Sequence, residues 1–312
     1  MARQRRDPSG PRVPAIIVHG GAGADPADGR EELRGGVRAA AAAGWHVLAA
    51  GGHALDAVEA AVRALEDHPR FNAGRGSVLT SAGTVEMDAS IMEGERLDCG
   101  AVAAVSGIAN PVTLARRVLE SGRHVLMAGP GAVAFAREVG VPECDPASLI
   151  TDRQRRRFAN QPAPAVAPEL ARETRAGAAG TVGAVALDRH GAVAAATSTG
   201  GTWGKRPGRV GDSALIGGGT YADRTIGGVS CTGDGEAIIR IVLARRALDY
   251  LKEADDPEYA AHVAVDLLVE EGRGQGGLIL LDWHGRTGYA HSTPLMPVAW
   301  MSPALTEPLV PF

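Results

Sequence analysis

Aromatic side chains are scarce in this sequence: Phe, Trp and Tyr together make up 4% of it. A core built around large rings is therefore excluded. With 42 Gly and a hydrophobic fraction of 45%, small residues must supply much of the packing. That suits stacked sheets and loops whose backbones approach closely. Cysteine is also sparse, and Cys99, Cys144 and Cys231 form no CxxC pair and cannot all pair with one another. A disulfide scaffold is excluded, and a reduced, cytoplasmic setting is expected. No apolar run is long enough to span a bilayer; residues 39–50, interrupted by Gly44 and His46, read as a buried helix. The basic start Met1-Ala2-Arg3-Gln4-Arg5-Arg6 is not followed by an apolar segment, so no signal peptide is expected. A net charge of -4 argues against nucleic acid as a partner. The 312 residues allow one large domain or two ordinary ones.

In chain order, residues 13–19 (VPAIIVH) read as a buried strand, followed by the tight turn His19-Gly20-Gly21-Ala22-Gly23. That turn lacks a following Lys-Ser/Thr and a full GxGxxG, which weakens a phosphate-binding reading. Helices are predicted over 31–50 and 54–67, the second with Leu55, Val58, Val62 and Leu65 at helical spacing and a stop at His68-Pro69. Strands follow at 84–92 and 99–106, then a helix opened by Asn110-Pro111 with Asn110 as N-cap. A short strand (124–128), a helix (131–139) and a solvated helix within 143–157, with its basic run Arg153 to Arg157, complete this half. The polar, Pro-rich stretch 151–180 reads as a flexible linker, most clearly from Asn160 onward.

The second half opens on Val182, Ala184, Val185, Ala186 and Leu187, a buried strand, with the turn Asp188-Arg189-His190-Gly191 and a returning run to Thr197-Ser198-Thr199-Gly200-Gly201. A strand and turn over 215–221, a strand over 227–231 and one long helix over 236–252 come next. An amphipathic helix over 257–270 and a hairpin around Trp283-His284-Gly285 close the chain. Strands with paired helices, a break, then strands with paired helices again fit an α/β fold of two stacked sheets covered by helices.

Thr181 stands where the linker meets the strand. If the Gly180–Thr181 bond were cut, Thr181 would carry a free α-amino group beside its own hydroxyl, a complete nucleophile-plus-base unit. An α-amino group titrates near ~8, so a useful fraction is neutral at physiological pH.

Seven blocks stand in order: HGGAGA (19–24), FNAGRGSVLT (71–80), GTVGAVALD (180–188), ATSTGG (196–201), PGRVGDS (207–213), SCTGDGE (230–236) and GGLI (276–279). Together they resemble the plant-type L-asparaginase/isoaspartyl peptidase family of N-terminal-nucleophile hydrolases, over about residues 16–300. The resemblance implies a single four-layer αββα sandwich. It also implies a precursor that cleaves itself into an α subunit (1–180) and a β subunit (181–312) and hydrolyses L-asparagine or β-aspartyl (isoaspartyl) dipeptides. Thr181 would be the nucleophile, with Thr199 beside it. The Thr232 hydroxyl and the Gly233 N–H would form the oxyanion hole. Arg209 would take the substrate α-carboxylate through a bidentate contact, and Asp212 its α-ammonium. Gly233 and Gly235 would let the backbone approach the ligand, and Asn72 would lie near it.

No cofactor is required for that chemistry. The resemblance does imply a structural sodium ion held by the backbone carbonyls of Leu65, Glu66, His68, Phe71, Ala73 and Arg75, with an ordinary metal-free loop as the alternative. It further implies a dimer of αβ units. Asp234 departs from the family pattern, which has an uncharged residue or histidine there; a carboxylate beside the oxyanion hole is expected to alter rate or substrate preference. His19, His53 and Cys231 lack activating partners in sequence; the two histidines read as packed or polar-lined and Cys231 as packed. The rival readings are a glycosylasparaginase-like amidase, a nucleotide-binding module and an uncleaved, non-catalytic small-molecule-binding relative.

Overall fold

A computed structural model describes residues 12–26, 28–160 and 180–312. Its first half contains β1 (Ala15–His19), α1 (Arg30–Ala49), α2 (Ala54–Asp67), β2 (Met87–Glu93), β3 (Cys99–Val105), α3 (Pro111–Ser121), β4 (Leu126–Ala128), α4 (Gly129–Glu138) and α5 (Asp152–Asn160). The second half contains β5 (Val182–Leu187), β6 (Val193–Thr199), β7 (Thr220–Asp223), β8 (Gly227–Gly233), α6 (Gly235–Ile241), α7 (Leu243–Ala254), α8 (Pro257–Glu270), β9 (Gly276–Asp282), β10 (Thr287–His291) and β11 (Val298–Met301). A seven-stranded sheet runs β11-β1-β5-β6-β2-β3-β4, and a four-stranded sheet runs β10-β9-β8-β7.

The period of two along each strand explains the layering. In β1, Ile16 and Val18 join the core under α1 and α2, while Ala15 and Ile17 face the second sheet. In β5, Val182, Ala184 and Ala186 point to the helices and Val185 and Leu187 to the other sheet. In β9, Leu278 and Leu280 pack under α7 and α8, while Ile279 and Leu281 meet the first sheet. Strands apolar on both faces must be covered on both, and they are: β5 and β6 stack on β8, and β1 on β9. The result is the αββα sandwich. Each fully buried Val, Leu or Ile stabilises it by about 1.5–3 kcal/mol. Among the described residues no helix is long and apolar enough to cross a membrane.

Several local expectations are corrected. The first part of the stretch read as a linker is helix α5, which buries Gln154 and bonds its Nε2 to the Gly76 carbonyl at 2.9 Å. Residues 161–179 lie outside the described residues. The single helix expected over 236–252 is two, because Val242 takes the left-handed conformation (φ 53°, ψ 51°). The first amides of α7 then donate to the loop carbonyls, Ala244 N to Gly218 O and Arg245 N to Gly217 O, both at 3.0 Å. Asn110 stands at the N-cap of α3, but its side chain makes no cap bond. Instead, buried Glu66 receives the Val112 N–H on Oε1 at 3.0 Å. The strand expected over 215–221 starts only at Thr220, after a 3-10 turn at Asp212–Ala214.

Candidate active site

Thr181 directly precedes the central strand β5 and is 5% exposed. Val182 pairs with Ser198 and Thr199 pairs with Asp88, so the next step of the register sets Thr181 beside Thr199 in the middle of the sheet. The Thr181 Oγ1 receives a long contact from Ser213 Oγ at 3.5 Å. The peptide before it is pinned. Gly21 has a left-handed φ of 102°, and a Cβ there would lie 2.7 Å from both N and O of Gly180. On its other side, a Cβ on Gly180 would lie 2.6 Å from Thr232 Oγ1, which itself accepts the Ala22 N–H at 3.1 Å. The turn after β1 and the end of β8 therefore converge on the Gly180–Thr181 bond.

Thr199 Oγ1 accepts the Gly201 N–H at 2.9 Å. Asn72 holds that turn: its Nδ2 donates to Gly201 O at 2.7 Å, and its Oδ1 accepts from Val78 N at 2.8 Å. Its Oδ1 and one amide proton are thus engaged by scaffold, and it braces Thr199 from below. His19 is packed, as its sequence context implies, with Nε2 2.8 Å from Ser230 Oγ. Burial pushes its imidazole down to about 3, opposed only in part by the Thr181 backbone. A neutral ring therefore lies beneath the threonine. Burial also drives the Cys231 thiol well above its usual range, reinforced by Asp212, so it is no nucleophile.

Arg209 and Asp212 come together around Gly235. A Cβ on Gly235 would lie 2.8 Å from both Arg209 Nη2 and Asp212 Oδ1, so only glycine leaves this cradle open. Asp212 is buried, and its Oδ2 has no hydrogen-bond partner among the described residues. Burial raises its carboxyl to about 7, against the pull of Arg209. The guanidinium donates from Nε and Nη2 to Glu236 at 2.9 and 2.8 Å. Burial works against its charge, but Glu236, then Asp212 and Asp88, more than offset this and raise its pKa. Gly233 has a different reason to be glycine. At φ 140° a Cβ would lie 2.3 Å from Gln275 O, so its bareness serves the contact with the entry of β9.

Asp234 is engaged by the residue that leads into β9. Its Oδ2 accepts the Gln275 N–H at 2.9 Å, and its own N–H donates to Gln275 O at 2.8 Å. The carboxylate ties the start of α6 to the entry of β9.

Three contributors escape sequence reasoning. Asp88, fully buried in β2, accepts from Ala104 N at 2.8 Å and from Gly211 N at 2.9 Å, clamping the loop that carries Arg209 and Asp212. Lys205 is 5% exposed and donates to Glu86 O at 2.8 Å, with burial lowering its pKa. Ser213 reaches Thr181. The one signal in the sequence is an acid inside the otherwise apolar run MDASIM, which demands a buried partner.

The loop expected to hold a cation gathers carbonyl oxygens tightly. A Cβ on Gly74 would lie 2.5 Å from Glu66 O, and one on Gly76 would lie 2.6 and 2.7 Å from Pro69 O and Phe71 O. Glu66 O already accepts from Arg75 N at 2.7 Å, yet each carbonyl keeps a second lone pair. The buried Glu66 side chain beside it leaves Oε2 without a hydrogen-bond partner among the described residues. Among the described residues no three His, Cys, Asp or Glu side chains converge as a metal-binding group. Oxygen donors from the backbone are the right chemistry for a hard monovalent or alkaline-earth cation.

A threonine heading a central strand of an αββα sandwich, with the Ser213 hydroxyl at its own and Thr232 against the peptide before it, fits an N-terminal-nucleophile hydrolase fold. The asparaginase family model matches residues 12–307. The isoaspartyl peptidase/L-asparaginase of Danio rerio is 48% identical over 273 residues, covering 88% of this chain and 87% of that protein. The human protein of the same name is 46% identical over 275 residues, covering 86% and 88%. The plant-type L-asparaginase of Pyrococcus abyssi is 44% identical over 305 residues, covering 94% and 98%. This chain belongs to the asparaginase family.

Proposed function

We propose that the chain is a self-cleaving threonine amidohydrolase acting on L-asparagine and β-aspartyl dipeptides. The observation that supports this most directly is the Gly180–Thr181 bond held between the Gly21–Ala22 turn and Thr232 Oγ1 at the head of a buried strand. In maturation, Thr181 Oγ1 attacks the Gly180 carbonyl carbon, the C–N bond breaks and an ester forms. Water then hydrolyses the ester and leaves residue 181 with a free amine.

In turnover, that amine takes the Thr181 hydroxyl proton as the oxygen attacks the side-chain amide carbon of the substrate. The oxyanion is stabilised by the Thr232 hydroxyl and the Gly233 N–H, where one donor is worth roughly 3–4 kcal/mol. The leaving ammonia or amino acid takes the proton, and water releases L-aspartate from the Thr181 ester. Arg209 and Asp212 read the α-carboxylate and α-ammonium that both substrates share. Named relatives carrying both activities support the pairing of the two substrates.

The carbonyls of Leu65, Glu66, His68, Phe71, Ala73 and Arg75 would hold a sodium ion as a structural clip on the loop that carries Asn72. When bound, such an ion would supply fixed positive charge and tie those carbonyls together. The assembly that fits the family is a dimer of αβ units, and the compartment that fits the free cysteines is the cytoplasm.

The test is a Thr181→Ala variant followed on a denaturing gel, alongside kinetics of the parent on L-asparagine and a β-aspartyl dipeptide. The variant should stay one chain and lack both activities. Fragments beginning at residue 181, or activity from the uncut chain, would refute the proposal.

A further inference from the structure

We propose that Glu236 is a positioning residue that holds the Arg209 guanidinium apart from Asp212 and so keeps the amino-acid head-group site open. The inference rests on the reading of Arg209 and Asp212 given above.

The two groups flank the same bare carbon at Gly235, three residues apart in sequence, with opposite charges. Left to themselves they should pair. A guanidinium beside a buried carboxylate with an unbonded oxygen has a strong partner within reach, because burial strengthens the attraction. Yet among the described residues the ion pair Arg209 makes is with Glu236, whose side chain is 62% exposed, while Asp212 Oδ2 is left without a hydrogen bond. The geometry explains why. Glu236 takes the side edge of the guanidinium, Nε and Nη2, in a fork of 2.9 and 2.8 Å. That fixes the plane and leaves three of the five N–H groups, on Nη1 and Nη2, for a ligand. Nη1 lies over Gly211 and Nη2 over Gly235, so the remaining edge faces the cradle.

Without Glu236, Arg209 is free to swing onto Asp212. The site would then be closed by its own ion pair, and a zwitterionic substrate would have to break that pair before binding. Glu236 thus sets the affinity for the head group without touching the reacting atoms. Asp212 is faced by Arg209, Asp88, Glu236 and the Cys231 thiol. Removing Glu236 both frees Arg209 and takes away a like charge, and each change stabilises the ionised Asp212.

The experiment compares Glu236→Ala, Glu236→Gln and Arg209→Ala in self-cleaved protein, measuring kcat and KM on L-asparagine, inhibition by L-aspartate, and the pH dependence of that inhibition. Glu236→Ala should raise KM and the aspartate inhibition constant by about tenfold, the size of one charge-assisted bond lost, with kcat changed by less than about threefold. It should also move the acidic limb of L-aspartate inhibition, which does not need the neutral amine, down by about one pH unit, which a general loss of packing would not do. Glu236→Gln, which keeps the shape, should fall between. If Glu236→Ala leaves KM unchanged, or raises it with the acidic limb unmoved, the inference is overturned. Arg209→Ala separates the two levels: unchanged KM there overturns the head-group reading itself, whereas a raised KM with wild-type behaviour in both Glu236 variants sinks the inference alone.

Discussion

Asp212→Asn should lose substrate affinity and gain stability, and the gain should grow with pH. Burial raises the Asp212 carboxyl from an ordinary 3.8 to about 7. A carboxyl that holds its proton more tightly when folded favours the fold at low pH. That advantage is fully present below 3.8 and is lost as pH rises through about 7. Above that range the folded state carries a buried charge that the unfolded chain carries in water. At ~1.4 kcal/mol per pH unit, a displacement of roughly three units corresponds to about 4 kcal/mol. The residue is 4% exposed, so solvent screening removes little of this. Asparagine has the same shape and never ionises. In a Thr181→Ala background, where unfolding concerns one chain, urea melts with and without Asp212→Asn should coincide near pH 4. They should separate by up to about 4 kcal/mol at pH 8, with the asparagine form the more stable. In the cleavable protein the same substitution should raise KM for L-asparagine, because the substrate ammonium loses its counter-charge. A stability difference that is flat with pH, or an asparagine form less stable at pH 8, would refute the assignment of a buried, strained carboxyl.

Gly21→Ala should let the chain fold but stall its cleavage, since the added Cβ would lie 2.7 Å from Gly180 N and O and the φ of 102° disfavours any side chain; circular dichroism with a denaturing gel reads both, and normal processing would count against the pinned-bond geometry. Asp234→Asn should leave kcat on both substrates within about twofold, because an amide oxygen can still accept from Gln275 N; a tenfold change in either direction would mean the carboxylate acts on the ligand after all. Val242→Gly should stabilise the chain by up to about 1 kcal/mol, as it relieves a β-branched residue held at φ 53°; a destabilised variant in urea melts would show that its packing outweighs the strain.

The elements that sequence resolved are those whose cause is local. Val182 to Leu187 reads as a buried strand because every residue in it is apolar or Gly, and α2 reads as a helix because Leu65 follows Val58 and Val62 at helical spacing. The seven blocks could be ordered because each is legible as a short run of residue types, whatever its residues touch in the fold. What stayed hidden depends on partners far along the chain. The Asp88 clamp joins residues separated by 123 positions at Gly211, and nothing near Asp88 announces that loop. Val242 carries no helix-breaking residue type; α6 ends there because the following amides find the Gly217 and Gly218 carbonyls. The partner of Asp234 was hidden in the same way. One residue from Gly233, Asp234 turns its carboxylate onto Gln275, because β8 hands over to α6 at that point and the side chain leaves on the β9 side. Glu236 reads as an ordinary helix-start acid until Arg209 is seen against it.

The order of strands in the larger sheet has one more consequence. β1 is wedged between β11 and β5, and β2 adjoins β6, so pieces from before and after residue 180 alternate across a single hydrogen-bonded ladder. Cutting the Gly180–Thr181 bond leaves that ladder intact and gives the fragments no route to separate short of losing the sheet. It changes the return journey. An intact precursor refolds at a rate independent of concentration, whereas two severed pieces must first find each other, so recovery becomes second order and falls away on dilution. Maturation would thereby turn a reversible folder into an assembly held by its unfolding barrier, whose lifetime in use is a rate rather than an equilibrium.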